Sequence, residues 1–104
     1  MVAVNGSSPR TTLGDLTQDY RTMLLRFLPH HDEGARSAAY DLGRRAVAAE
    51  VSLLEVCRMH HQVLVEVLRE APSDEVLGIL EGATELLLEA LAAYDMTHRG
   101  VLGP

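Results

Sequence analysis

The sequence predicts an all-α protein that folds as an up-down four-helix bundle. Apolar residues recur at the spacing of an amphipathic helix through four successive stretches of the chain. No stretch alternates with the period of a β-strand, and none combines β-branched and aromatic residues between turn signals. The connections between the helical stretches are short, which favours antiparallel neighbours.

Composition narrows the class of protein. The chain has 104 residues, enough for one domain, and it carries a net charge of −6 with Arg as its only strongly basic residue type. Such a chain lacks the basic patch that neutralises phosphates, so we expect no nucleic acid partner. No apolar run is long enough for a membrane span and the N-terminus does not resemble a signal peptide, which predicts a cytoplasmic protein without membrane contact.

The core is expected to consist mainly of Leu, Val, Ala and Met, because Trp is absent and Phe27 is the only phenylalanine. Cys57 is the only cysteine, so no intrachain disulfide and no thiolate metal cage can form. A lone cysteine inside a helix is usually a small buried hydrophobe, and we expect the same of Cys57.

The first helix is predicted over residues 12–28, after a flexible lead-in at 1–11. Thr12 and Asp15 have the spacing of a capping box, and Pro29 indicates that the helix ends by Leu28. Asp32 then caps a second helix. A stripe of mostly small residues along that helix favours close approach to a neighbour: Ala35, Ala38, Ala39, Leu42, Ala46 and Ala49.

A corner is predicted at 49–51, where the apolar stripe alone would have continued without a break. Ser52 and Glu55 form a full capping box, and Val51 with Val56 forms the hydrophobic staple that accompanies one. The third helix then covers 52–70 and ends at the Ala-Pro pair that follows.

The fourth helix is predicted to begin at Ser73, as its cap, and to run to Arg99. Gly100 is expected to be the residue that ends the helix, followed by a tail at 101–104. The domain is thus predicted over 12–100.

Apolar runs at 63–65 and 86–88 place hydrophobic side chains on more than one face of the third and fourth helices. Burial on two sides within one bundle is one explanation. Surplus apolar surface that contacts another chain is the other, and it is the one we favour.

The adjacent histidines His60 and His61 point about 100° apart on a helix, so they cannot face one metal ion. We expect one to be hydrogen-bonded at the edge of the core and the other to be exposed. A phosphoaccepting role in a histidine phosphotransfer module of a two-component pathway is the alternative. The residues that follow, QVLVEVL, are bulkier than that alternative favours.

The turn at 29–33 groups two histidines, an aspartate and a glutamate. It could bind a metal ion weakly, or it could be a solvent-exposed turn whose Asp caps the next helix. The second interpretation is preferred, and we predict no metal and no cofactor.

On the second helix Arg36, Tyr40 and Arg44 share a face that could contact a partner. Arginines that pair with Asp41 or Glu50 are the simpler explanation of the basic pair there.

Four blocks in order, DYRTMLLRFL, AAYDLGRRAV, VSLLEVCRMHHQVL and LLEALAAYDMTHRG, resemble the N-terminal domain of the RsbU phosphatase. That domain is similar in fold to the C-terminal domain of the clock protein KaiA. The resemblance implies a homodimer that binds a switch kinase of the RsbT type in partner-switching control of a stress sigma factor. It implies a binding module and not an enzyme. No phosphatase domain follows the matched blocks, so we expect either an excised domain or a stand-alone protein that sequesters or bridges a partner.

The matched blocks also carry the residues we expect to bind the partner. Ser37, Tyr40 and Arg44 lie on one face of the second helix. Leu91 and Tyr94 lie near the end of the fourth.

Overall fold

A computed structural model describes residues 12–102, and this part of the chain is helical with no strand. The all-α prediction is therefore confirmed. The predicted lead-in at 1–11 and the last two residues of the predicted tail lie outside the described residues. A single 3₁₀ turn at Ser73–Glu75 precedes the last of the four helices, which are α1 (Leu13–His30), α2 (Glu33–Ala48), α3 (Leu53–Arg69) and α4 (Val76–Leu102).

Both predicted capping boxes form. The Thr12 hydroxyl accepts from the Asp15 N–H at 3.1 Å, and the Asp15 carboxylate accepts from the Thr12 N–H at 3.2 Å. Ser52 and Glu55 make the same reciprocal pair at 3.1 and 3.0 Å. Each box satisfies two backbone N–H groups that have no partner within the helix, and this fixes where α1 and α3 begin.

The corner at 49–51 lies where the sequence predicts it. Glu50 adopts a left-handed backbone conformation, with φ at 60°. The chain then turns back so that the Val51 N–H donates to the Ala46 carbonyl at 2.9 Å. This bond and the cap at Ser52 separate α2 from α3.

The predicted end of the first helix is wrong by two residues, because α1 continues through Pro29 to His30. Proline in the last turn removes only one intrahelical hydrogen bond, that to the Leu25 carbonyl. His31 compensates: its N–H donates to the Phe27 carbonyl, and its ring stacks on the Phe27 ring at 4.5 Å between centroids. The helix therefore ends at His30, and His31 follows as a left-handed cap with φ at 50°.

The predicted limits of the fourth helix also need correction. Ser73 makes no capping hydrogen bond, since it lies within a 3₁₀ turn in which the Glu75 N–H donates to the Pro72 carbonyl at 3.0 Å. α4 therefore begins at Val76. Its other end passes through Gly100 to Leu102, because no left-handed residue interrupts it at Gly100.

The core is built largely as predicted, with three aromatic additions. Tyr20 and Phe27 are its largest fully buried side chains, Tyr94 is the third aromatic residue, and the rest are aliphatic residues and Met. The small-residue stripe of α2 faces this core: Ala35, Ala39, Leu42 and Ala46 are fully buried, and Ala38 and Ala49 are partly buried.

α2 and α4 approach each other closely, and a glycine allows it. A Cβ added at Gly43 would collide with the Ala90 carbonyl and lie 3.0 Å from the Tyr94 nitrogen. α2 also packs on α1, whereas α3 packs on α1 and α4. The short corner thus leads α3 away from α2, and the outer sides of α3 and α4 stay free within this part of the chain. None of the described helices has the length and apolarity needed to cross a membrane.

Candidate partner-binding surfaces

The outer face of α2 presents three of the five predicted partner residues. Ser37, Tyr40 and Arg44 are all exposed. The Tyr40 hydroxyl lies 3.8 Å from the Met96 sulfur of α4, which is itself an exposed side chain. The α2 surface therefore continues onto the C-terminal half of α4.

The other two predicted residues lie on a different side of α4, towards α3. Leu91 is half-buried and lines a groove of about 450 Å³ together with Leu53 and Tyr94. Tyr94 is only 9% exposed, and its hydroxyl donates to the Val51 carbonyl at 2.9 Å. Tyr94 therefore anchors the corner to α4. The five residues do not form one surface, and their partner-binding role stays a prediction.

The arginines of α2 differ in the contacts that their side chains make. Arg45 pairs with Asp19 at 3.0 Å and with Asp41 at 3.2 Å, as the simpler explanation expects for Asp41. Arg36 belongs to the face predicted to contact a partner, but its side chain makes contacts within the fold. Its guanidinium lies 5.1 Å from the Phe27 ring centroid and 3.5 Å from Glu85. Arg44, which is exposed, is the arginine of this face best placed to meet a partner.

Apolar side chains do occupy more than one face of α3 and α4, as predicted. Val63 and Leu86 are buried in the core, yet Leu54, Leu77 and Leu88 are 59%, 68% and 58% exposed. One line of exposed and partly buried side chains on α3 follows the three-and-four spacing of a helix that packs on another helix: Leu54, Cys57, His61, Leu64 and Leu68. We call this set the outer stripe of α3.

The outer stripe was not recognised in the sequence, although its spacing was readable there. The reason is Cys57, which was expected in the core and is exposed. Val56 and Met59 take the buried positions on that turn of α3.

The two adjacent histidines have the different environments that the sequence predicts. His60 Nδ1 lies 2.7 Å from the hydroxyl of the fully buried Tyr20, and His61 is exposed. Burial lowers the pKa of His60, and the neighbouring His61 adds to this effect. Burial also raises the pKa of Tyr20. Both groups are therefore neutral, and we assign the Tyr20 hydroxyl as the donor to His60 Nδ1, with the ring proton of His60 on Nε2. Phosphotransfer through either histidine stays a prediction.

The turn before α2 is organised by Asp32. Its carboxylate accepts from the Gly34 N–H at 2.8 Å and from Arg26 at 2.8 Å, and these bonds lower the pKa of Asp32. His31 Nδ1 lies 3.6 Å from Glu85 instead of beside Asp32. Among residues 12–102 no three His, Cys, Asp or Glu side chains are grouped so that they could hold a metal ion.

These observations define a small helical domain whose candidate functional sites are protein-binding surfaces. The chain belongs to the family of the N-terminal domain of the phosphoserine phosphatase RsbU, whose family model matches residues 18–97. The match spans all four helices and confirms the resemblance seen in the sequence. Comparison with curated proteins and with solved structures gives no match.

Proposed function

We propose that this chain is a non-catalytic, cytoplasmic interaction domain that pairs with a second copy and binds a regulator of the switch-kinase type. In this proposal it acts in partner-switching control of a stress sigma factor. Its four helices run up and down, as the short connections favour. Membership of the RsbU N-terminal family supports the regulatory role.

The exposed apolar surface of α3 and α4 is the observation that carries the proposal. Leu54, Leu77 and Leu88 are each more than half exposed, and Leu53 is nearly so. Large apolar side chains exposed together on two packed helices favour a contact with another protein. The three-and-four spacing of the outer stripe suits packing against a helix, and a two-fold related copy supplies one.

The outer face of α2 supports a separate regulator-binding surface. It combines the aromatic Tyr40 with the exposed Arg44, two residue types that are enriched in the centres of protein interfaces. Met96 extends it with a flexible apolar side chain.

Pairing is tested by sedimentation equilibrium of the purified chain and of a variant with Leu54→Glu and Leu88→Glu. We expect a dimer for the unchanged chain and a monomer for the variant, because a carboxylate buried in an apolar interface is costly. Leu25→Glu is the matched control, since Leu25 is 54% exposed but lies on α1. A monomeric unchanged chain at high micromolar concentration would contradict pairing.

Regulator binding is tested by pull-down from lysate of the source organism, followed by calorimetry with any recovered switch-type serine kinase after purification. Tyr40→Ala combined with Arg44→Glu should weaken that binding at least about ten-fold, as loss of two central contacts does. Arg58→Glu is the control, because Arg58 is exposed on α3 on a side that faces α1, away from Tyr40 and Met96. Recovery of a histidine kinase alone would instead favour the phosphotransfer alternative.

A further inference from the structure

A groove lies at the end of the molecule where α1 ends and the α3–α4 connection passes. Its volume is about 620 Å³, within the range of sites that hold a ligand or an anchoring side chain. Its apolar lining comes from α1, α3 and α4: Leu25, Leu28, Val67 and Ile79. The groove lies at the C-terminal end of α3, whereas the groove beside Tyr94 lies at its N-terminal end.

The rim of this groove is acidic. Glu70, Asp74 and Glu75 line it, and within residues 12–102 none of the three forms an ion pair. An adjoining hollow, which shares His31 and Gly78 with the groove, adds Glu81 and Glu85. Of the described groove-lining side chains only His31 is basic, and it faces Glu85.

We propose that this groove docks a cationic amphipathic helix of another protein. Apolar side chains one turn apart on such a helix would enter the groove, as in other helix-in-groove complexes. Lys or Arg side chains flanking them would meet Glu70, Asp74 and Glu75. Complementary charge of this kind steers association and selects the partner.

The charge of the chain argues against a second copy as the occupant. The chain carries a net charge of −6, so a second copy would bring mostly like charge to an acidic rim. Five of its arginines are already paired within the fold: Arg21, Arg26, Arg36, Arg45 and Arg99. This proposal depends neither on the α2 face nor on the outer stripe of α3.

The test uses two labelled helical peptides of about five turns with the same leucine stripe. One carries Lys and Arg beside the stripe, and the other carries Glu at the same positions. We expect the cationic peptide to bind, with an affinity that falls as salt rises, and the acidic peptide to bind at least about ten-fold more weakly.

Two variants locate the binding. Gly78→Leu fills the groove, and a Cβ at Gly78 meets no atom within 4 Å, so the helix should accept it. Glu70→Arg with Glu75→Arg reverses the rim. The matched control is Glu50→Arg with Glu89→Arg, the same change of charge at two carboxylates outside the groove. Both groove variants should lose at least about ten-fold in affinity for the cationic peptide while the control does not. Urea unfolding shows that each variant is folded.

Methyl NMR spectra complete the test. Binding of the cationic peptide should shift the methyl signals of Leu28, Val67 and Ile79. Equal binding of both peptides, or unchanged binding by Gly78→Leu, would overturn the proposal. It would also be overturned if these methyl signals shifted on removal of residues 1–11 or on self-association at high concentration, because the groove would then hold a segment of this chain or a second copy.

Discussion

Gly43 of α2 lies directly against the backbone of Ala90 on α4. A Cβ at position 43 would strike the Ala90 carbonyl oxygen, which belongs to a helix and cannot rotate away as a side chain could. The small residues of the two helices set their separation, and Gly43 is the position where even a methyl group does not fit.

Gly43→Ala should therefore destabilise the fold, although alanine is the better helix former by about 1 kcal/mol. Overpacking costs about 1–3 kcal/mol, and the upper end applies here because the clash is with helix backbone, so the net loss is about 1–2 kcal/mol, which urea unfolding can measure. Gly78→Ala is the matched control. Its Cβ meets open space, and it should stabilise by about 0.5–1 kcal/mol. Equal stability of the two variants would show that α2 and α4 are not in this contact.

Local signals in the sequence were sufficient for the elements of the fold. The capping boxes at Thr12 and Ser52 place two helix starts correctly because each depends on residues three apart. The errors occur where tertiary contacts decide. Pro29 is tolerated because Phe27 and His31 hold the turn beyond it, and no local rule predicts that stacking.

The candidate surfaces were predicted less well, for a related reason. Tyr40 and Arg44 could be placed on one exposed face from their spacing alone. Tyr94 was expected to bind the same partner, but its hydroxyl bonds the Val51 carbonyl, 43 residues away. The acidic groove was not foreseen, because Leu28, Val67 and Ile79 come from three helices and meet only in the folded chain.

Tyr94→Phe should cost about 1–3 kcal/mol of unfolding free energy. The substitution keeps the ring and leaves the Val51 carbonyl without its hydroxyl donor in a buried environment. Tyr40→Phe is the control, because the Tyr40 hydroxyl only meets the Met96 sulfur at an exposed site, and its effect should stay within about 0.5 kcal/mol. Similar losses in the two variants would argue against the anchoring role of Tyr94.

Glu50→Gly should stabilise the protein by up to about 1 kcal/mol. Glu50 has a positive φ, which costs an ordinary residue about 1–2 kcal/mol and costs glycine little. The greater freedom of glycine in the unfolded chain offsets part of that gain. His31→Gly provides the contrast: it also relieves a positive φ but removes the stacking on Phe27, so it should not stabilise. Thermal unfolding of both variants distinguishes the two cases, and a destabilised Glu50→Gly would contradict the left-handed corner.

The hydrogen bond between Tyr20 and His60 predicts that stability falls with mild acid. Burial holds the pKa of His60 below its unfolded value of about 6.5, so the unfolded chain binds this proton first. The stability contributed by neutral His60 is fully present above that pH and is lost as the pH falls towards the lower, folded pKa. Protonation also removes the acceptor for the buried Tyr20 hydroxyl.

The urea midpoint should therefore decrease between pH 7.5 and pH 5 in the unchanged chain. The decrease should be smaller in His60→Gln, whose amide oxygen can still accept from Tyr20 but does not titrate. His61→Gln is the control, because His61 is exposed and makes only the smaller contribution to the lowered pKa of His60, so most of the pH dependence should remain. Asp32 and Glu66 have lowered pKa values, so both stay ionised in the folded protein between pH 7.5 and pH 5 and do not account for the change in the urea midpoint. If His60→Gln and the unchanged chain respond identically to pH, then Tyr20 does not depend on a neutral His60.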